Sequence, residues 1–335
     1  MFHNILEKIN EYDTIIIHRH IRPDGDCIGS QMGLKALLKA NFPNKNIYAV
    51  GDEIPDYLKG YGENDDVEDE WYQGALAIVV DTAAAERICD TRYQTAQFII
   101  KIDHHDNSYP YADMEYVDSK SPACAAILVR FYLAVSEDLI MPLECAKAWY
   151  LAITTDTGRF RYRGVNGEVL ANAGFLVDQG VDIENLYTKL YIKDVNPLKL
   201  QGYVYQNFKI SPNGVAYIHF TKSIMERFKV TKEEAGNLVN SLDSIRGSLI
   251  WAVFIDQMKE KDPEFKNKKE APEKEMRVRI RSRFVAINEI ASQYRGGGHL
   301  MASGATVYGK QEMNQLLTAL DQTLAQYKLE HPEKF

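Results

Sequence analysis

Thiol pairs are missing from this chain. Its four cysteines, Cys27, Cys89, Cys124 and Cys145, are scattered through 335 residues with no C-x-x-C pair and no even framework. That excludes a disulfide-stapled scaffold and casts the four as small buried hydrophobes in a reducing compartment. Long apolar runs are missing too: no stretch approaches the roughly 20 residues of a membrane span. Residues 1–13 are polar and mixed in charge, without an apolar region of signal-peptide length. The expectation is a cytoplasmic protein with no membrane partner. Net positive charge is missing as well. A formal net charge of −8 argues against a surface that coats long nucleic acid, though not against a short phosphorylated ligand in a local basic pocket. The chain shows no internal repeat and no low-complexity tract.

What is present is an alternation of strands and helices. An apolar content of 45% supplies a packed core, and 335 residues fit two domains better than one. Strand patterns stand at residues 14–17, 47–50, 76–80 and 98–102; the last two are nearly continuous apolar runs, the form of strands covered on both faces. Helical spacing marks residues 29–40 and 143–155. Ser121-Pro122 reads as a helix start, with Ser as N-cap and Pro at the first helical position. The fold class expected is α/β: a doubly wound, mostly parallel sheet followed by a smaller α/β domain with a mixed sheet. Lys193-Asp194-Val195-Asn196-Pro197 breaks the pattern, so a first domain at 1–188, a linker at 189–208 and a second domain at 209–330 are expected. In the second, residues 214–220, 248–255 and 277–284 read as strands and 286–294 as a helix. The mixed-charge residues 257–275 read as a long exposed hairpin loop.

Asp103-His104-His105 follows the apolar run Phe98-Ile99-Ile100-Lys101-Ile102 directly. An acid and two imidazoles ending a buried strand put metal-ligand chemistry at its carboxyl edge, where open α/β sheets bind ligands. The pattern recurs upstream. Thr14-Ile15-Ile16-Ile17 runs into His18, His20, Asp24 and Asp26, Leu76-Ala77-Ile78-Val79-Val80 runs into Asp81, and Asp156 follows the mostly apolar residues 148–153. In His20-Ile21-Arg22-Pro23-Asp24-Gly25-Asp26 an extended loop can point the imidazole and both acids inward, with Pro23 and Gly25 supplying the turn. The same residues also suit an Asx-type turn whose acids cap the following helix, and the segment alone leaves both open. An EF-hand is excluded because Ile28 stands where a third oxygen ligand is required. Asp81, beside the competing cap Thr82, and Asp156 are individually ambiguous. Two histidine-bearing loops and two acids at element ends, all in one sheet, together read as a metal-dependent hydrolase.

These segments resemble a known family. His20-x-x-Pro23-Asp24-Gly25-Asp26, Val79-Val80-Asp81-Thr82, Asp103-His104-His105 and Thr155-Asp156-Thr157-Gly158 resemble, in order, the motifs of the DHH phosphoesterase superfamily. Gly296-Gly297-Gly298-His299 with Ala302-Ser303-Gly304 resembles the signature of the DHH-associated C-terminal domain, so the resemblance covers nearly the whole chain. Within the superfamily the pattern is most similar to the NrnA-type branch, whose members degrade very short RNA (nanoRNA) to mononucleotides and dephosphorylate adenosine 3′,5′-bisphosphate (pAp) to AMP. Some relatives act instead on cyclic di-AMP or on linear pApA. The resemblance implies two divalent cations, His20 and Asp24 binding the first, Asp26, His104 and Asp156 the second, and Asp81 bridging them. Imidazole and carboxylate without thiolate suit Mn²⁺, with Mg²⁺ as the alternative. Two ions about 3.5–4 Å apart would activate water and neutralise phosphoryl oxygens. His105 would meet the phosphate as a donor while Asp103 orients an imidazole. Cys27 is read as packing, and His18 lies outside the implied ligand set.

Selection of substrate is expected in the second domain. Gly296, Gly297 and Gly298 can turn backbone N–H groups toward one anion, and the resemblance implies that they grip the nucleotide with His299. Arg277, Arg279, Arg281 and Arg283 recur at period two and share one strand face. Arg159, Phe160, Arg161, Tyr162 and Arg163 mix guanidinium with aromatic rings, both able to meet phosphates and bases. Arg281 with Ser282 is the preferred pair, because the family often has Arg-Ser there; a solvated strand face is the plain alternative. The function expected is a manganese-dependent phosphoesterase for short RNA and pAp, with a homodimer left open. An inorganic pyrophosphatase would carry a Lys-rich phosphate motif in its second domain, and a processive exonuclease would add nucleic-acid-binding domains. A non-catalytic nucleotide sensor would have lost a ligand position. Substrate ranking and cleavage polarity stay open.

Overall fold

Burial on both faces organises the first half of the chain. In the computed structural model, which describes residues 1–106, 110–137, 139–162, 164–192, 194–257 and 274–334, two compact units are present, Met1–Ile192 and Lys193–Phe335. The first opens with α1 (Phe2–Glu11), β1 (Thr14–His18), α2 (Gly25–Asn41), β2 (Asn46–Ala49), β3 (Leu76–Val80), β4 (Phe98–Asp103) and β5 (Met114–Val117). It continues through α3 (Cys124–Ala134), α4 (Leu143–Asp156), α5 (Gly167–Asp178) and α6 (Ile183–Tyr191). The strands form one parallel sheet in the order β2-β1-β3-β4-β5. Every residue of β3 is buried, as its unbroken apolar run demands. The strand order reverses between β1 and β3, and a crevice at such a reversal is where this architecture takes ligands.

Three glycines set how closely α2 approaches α4. A methyl group at Gly29 would lie 2.4 Å from the Ala148 carbonyl oxygen, one at Gly33 2.3 Å from the Trp149 ring, and one at Gly25 2.4 Å from Thr155 Oγ1. Their four-residue spacing puts them on one face of the helix, which brings Asp26 near the end of α4.

The second unit comprises α7 (Val195–Asn207), β6 (Lys209–Ile210), β7 (Ala216–Phe220), α8 (Lys222–Phe228), α9 (Lys232–Asn237), β8 (Ile250–Asp256), β9 (Glu275–Ser282), α10 (Asn288–Gln293), β10 (Gly297–His299), β11 (Ala302–Tyr308) and α11 (Gly309–Glu330). Its sheet runs β10-β11-β9-β8-β7-β6, with β7 and β8 parallel and the other pairs antiparallel. Met276, Val278 and Ile280 of β9 enter one apolar cluster with Leu316, Leu320 and Leu324 of α11. A second cluster joins Ala216, Ile218 and Phe220 of β7 to Leu200 and Val204 of α7. Pro197 sits in the first turn of α7, where its missing N–H is not needed. Among the described residues no helix is long and apolar enough to cross a membrane.

Several expectations need correction. The helix α2 starts at Gly25 rather than 29, so Asp26 lies on a helix and not in an extended loop. Ser121-Pro122 does not start α3: Ala123 is its N-cap, without a side-chain cap, because a carboxylate from elsewhere satisfies the first amides. The strand expected through residue 284 ends at Ser282, before Phe284 at φ +71°. The helix expected at residues 286–294 is shorter, Asn288–Gln293. The hairpin loop assigned to residues 257–275 lies outside the described residues except at its ends, as does Arg163.

Candidate metal centre

The carboxyl ends of β1, β3 and β4 and the facing ends of α2 and α4 carry six side chains to one place. Asp81 is the hub. It leaves β3 with φ +51°, a left-handed conformation that aspartate tolerates better than most residues. Its buried carboxylate lies 3.5 Å from His20 Nε2, 3.3 Å from His104 Nε2 and 3.6 Å from His105 Nδ1. Asp81 Oδ1 has no hydrogen-bond partner despite full burial, an arrangement that calls for a cation.

Two imidazoles are held by their Nδ1 edges. His20 Nδ1 lies 2.8 Å from the Ile21 carbonyl and His104 Nδ1 3.2 Å from the Ser121 carbonyl. A ring that donates at Nδ1 keeps Nε2 as a lone pair. His104 Nε2 also lies 3.5 Å from Asp156 and 3.7 Å from Asp26. Donor atoms of Asp26, His104 and Asp156 fall within 4.8 Å of one another, as do those of Asp81, His104 and His105 and those of His20, Cys27 and Asp81. Asp24 stands 4.0 Å from His20 Nε2 and caps α2, accepting from the Cys27 amide at 3.0 Å. The capping reading of this acid is observed, and none of the three donor groups includes it.

Asp26 does two jobs that its position in sequence did not announce. Its carboxylate accepts from the Cys124 amide at 2.6 Å, the Ala125 amide at 3.1 Å and the Ser30 hydroxyl at 3.1 Å. It thereby caps α3 from α2 and is held rigid beside His104. Asp103 is equally fixed. It accepts from the His104 amide at 2.9 Å and lies 2.8 Å from His105 Nδ1.

The electrostatics are those of crowded acids. Burial, then the charge of Asp81, pushes Asp26 up to about 7. Burial and Asp26 raise Asp156 well above the carboxylate range, and burial and Asp81 raise Asp24. Burial works against ionised Asp81 too, but the imidazoles of His104 and His20 outweigh it and hold it low. Burial likewise opposes charge on His104, yet Asp81, Asp156 and Asp26 raise its pKa well above the usual value. Oxygen-rich donors, two imidazoles and mutually repelling carboxylates fit hard or borderline divalent cations. The thiol of Cys27, pushed up by burial and Asp81, stays neutral. His18 is fully buried against Tyr72 and Tyr93 and belongs to none of these donor groups.

In the second unit Gly297–His299 form an exposed edge strand paired to β11. A methyl group at Gly296 would stand 1.9 Å from the Gly304 carbonyl oxygen, and Gly298 has φ +136°, which explains glycine at both. Ala302 pairs with His299 on one side and Arg281 on the other, so the three share one row of the sheet. The Ser282 hydroxyl donates to the Val285 carbonyl. Arg277, Arg279 and Arg281 line a cavity of about 370 Å³ together with Lys232, Ser303 and Gly304.

Sequence comparison agrees with this architecture. Residues 14–153 match the DHH family N-terminal domain and residues 214–326 the DHHA1 domain. A Bacillus subtilis protein named bifunctional oligoribonuclease and PAP phosphatase NrnA is 37% identical, over 95% of this chain and 96% of its own. The chain belongs to the DHH family. A Streptococcus mutans relative, named as a probable enzyme of the same kind, is 38% identical over 96% of this chain and 99% of its own. Among solved structures, an exopolyphosphatase-related protein from Bacteroides fragilis superposes with a TM-score of 0.82 at 26% identity, covering 98% of this chain and 96% of that one. As a DHH-family member the chain is a metal-dependent phosphoesterase, with acidic and histidine groups placed to hold metal. Sequence reasoning missed Lys101, buried between the β3 and β4 ends, and the glycine face of α2, since neither shows a motif.

Proposed function

We propose that this chain hydrolyses very short oligoribonucleotides to mononucleotides and pAp to AMP, using two divalent cations, Mn²⁺ ahead of Mg²⁺. The observation that carries the reading is Asp81, buried between His20 and His104 with one oxygen lacking a hydrogen-bond partner. His20 and Asp24 would hold one cation, Asp26, His104 and Asp156 the other, with Asp81 shared. The cations supply Lewis acidity for water attack on phosphorus and charge neutralisation at the phosphoryl oxygens. Asp103 holds His105 by its Nδ1 edge, which leaves Nε2 for the phosphate, as a donor when the ring carries both protons. In the second unit Arg281, Ser282 and Gly296–His299 would grip the nucleotide, supported by the shared row of Arg281 and His299. The catalytic domain would then occupy 1–188 and the substrate domain 209–330. The names of the B. subtilis and S. mutans relatives support this substrate class.

A substrate panel tests it: Mn²⁺-loaded protein against pAp, pApA, diribonucleotides and a 24-nucleotide RNA, compared by kcat/KM. An acidic chain with its basic groups confined to local stretches offers little counterion-driven grip on long RNA. The dinucleotide should therefore exceed the 24-mer by roughly two orders of magnitude. Equal efficiency on both at physiological salt would exclude this substrate class.

A further inference from the structure

Lys101 lies inside β4 with its side chain fully buried, and nothing in the proposed chemistry uses it. A buried ammonium needs charge and hydrogen-bond partners to stay there. Its Nζ lies 3.6 Å from Asp103 Oδ2, donates to the Ala83 carbonyl at 3.1 Å and stands 4.6 Å from the centre of the Tyr111 ring. Asp103, also fully buried, points its other oxygen at His105 Nδ1, 2.8 Å away. A line of charge therefore runs from Lys101 through Asp103 to His105, whose side chain alone of the three has some exposure, 15%. The second tie reaches the hub. Ala83 is two residues beyond Asp81, and the Tyr111 hydroxyl donates to the neighbouring Thr82 carbonyl at 2.7 Å.

We propose that Lys101 is a positioning residue, which fixes Asp103 and so the orientation of His105, and which braces the turn carrying Asp81. The argument is one of geometry. Oδ1 takes the His104 amide and the His105 ring, while Oδ2, without a hydrogen bond of its own, faces the ammonium as an ion pair at 3.6 Å. Without the ammonium, the buried carboxylate keeps its Oδ1 hydrogen bonds but loses the charge that holds Oδ2 on the far side, and the hold on His105 loosens. The proposal rests on the reading of His105 as the group that meets the phosphate.

The test uses the full-length, metal-loaded protein and five variants: Lys101→Met, Lys101→Gln, Asp103→Asn, Lys101→Met with Asp103→Asn, and His105→Ala. Lys101→Gln keeps a donor for Ala83 but removes the charge, and the double variant leaves no buried charge uncompensated, so a folded protein is at hand even where Lys101→Met is unstable. Measured well below each melting temperature, both single lysine variants should lose kcat on the order of ten- to a hundredfold. KM should stay within about threefold and metal content at the wild-type level. The double variant should turn over like Asp103→Asn alone, because the two residues act in series. A kcat within about twofold of wild type in both lysine variants, while His105→Ala is crippled, would overturn the proposal. So would losses in the double variant that multiply, or loss of bound metal. Wild-type turnover by His105→Ala would instead remove the role of His105 itself, and the role of Lys101 with it.

Discussion

Asp81 shows how much a single side chain can be asked to do in this site. Its left-handed backbone turns the carboxylate back over the sheet edge, where His20 and His104 approach it from two different strands. Removing it should dismantle both proposed cation sites. Asp81→Ala is expected to bind little Mn²⁺ and to lose ~10³-fold or more in turnover. Cys27→Ala, which alters the neutral thiol at the same edge, should keep metal and turnover near wild type; metal analysis and kcat measured side by side check both. At this scale His20, Asp24, Asp26, Asp81, His104 and Asp156 were all visible, because each follows an apolar run or a turn signal and their chemistry is written in residue type. Lys101 was not. It stands in a run read as covered on both faces, but nothing in that run names the groups that receive its ammonium, the Ala83 carbonyl and Asp103. The capping of α3 by Asp26 was hidden for a related reason: donor and acceptor are 98 residues apart, whereas cap signals are read over a span of three or four.

Elements impose the next constraint, and α2 against α4 is the pair that matters. Asp26 stands in the first turn of α2 and Asp156 ends α4, so the spacing of the two helices sets the spacing of two acids around His104. Gly29 has no room for a methyl group, with the Ala148 carbonyl at 2.4 Å and Ala152 Cβ at 2.7 Å from where it would sit. Gly29→Ala should cost about 1–3 kcal/mol of stability through overpacking and should lower metal occupancy by spreading the acids. Gly174, in α5 with open space around the same position, is the control: Gly174→Ala should be neutral or slightly stabilising. Denaturant melts and metal analysis of the two variants decide between them. Elements with strong patterns were legible, β3 and β4 above all. The helix α1 was passed over because its buried face is only Ile5, Leu6 and Ile9, and β5 because all four of its residues are only partly buried at the sheet edge.

At the scale of the whole molecule, each unit encloses its own apolar clusters, and the proposed division of labour follows the chemistry each carries. Acids and imidazoles gather in the first, while arginines and a glycine edge strand gather in the second. The order of strands in the first sheet could not be read from the chain, since parallel strands of similar composition exchange places without changing their patterns. Yet that order is what brings β1 beside β3 and β3 beside β4, and so what unites the ligands. The account stands on the claim that this edge works as a two-cation centre. A titration of the metal-stripped protein with Mn²⁺, following pAp turnover and bound metal together, tests it most directly. Turnover should be absent in the stripped protein and should reach its plateau only as the second equivalent per chain binds. Full turnover in the presence of chelator, or a plateau at one equivalent, would contradict it.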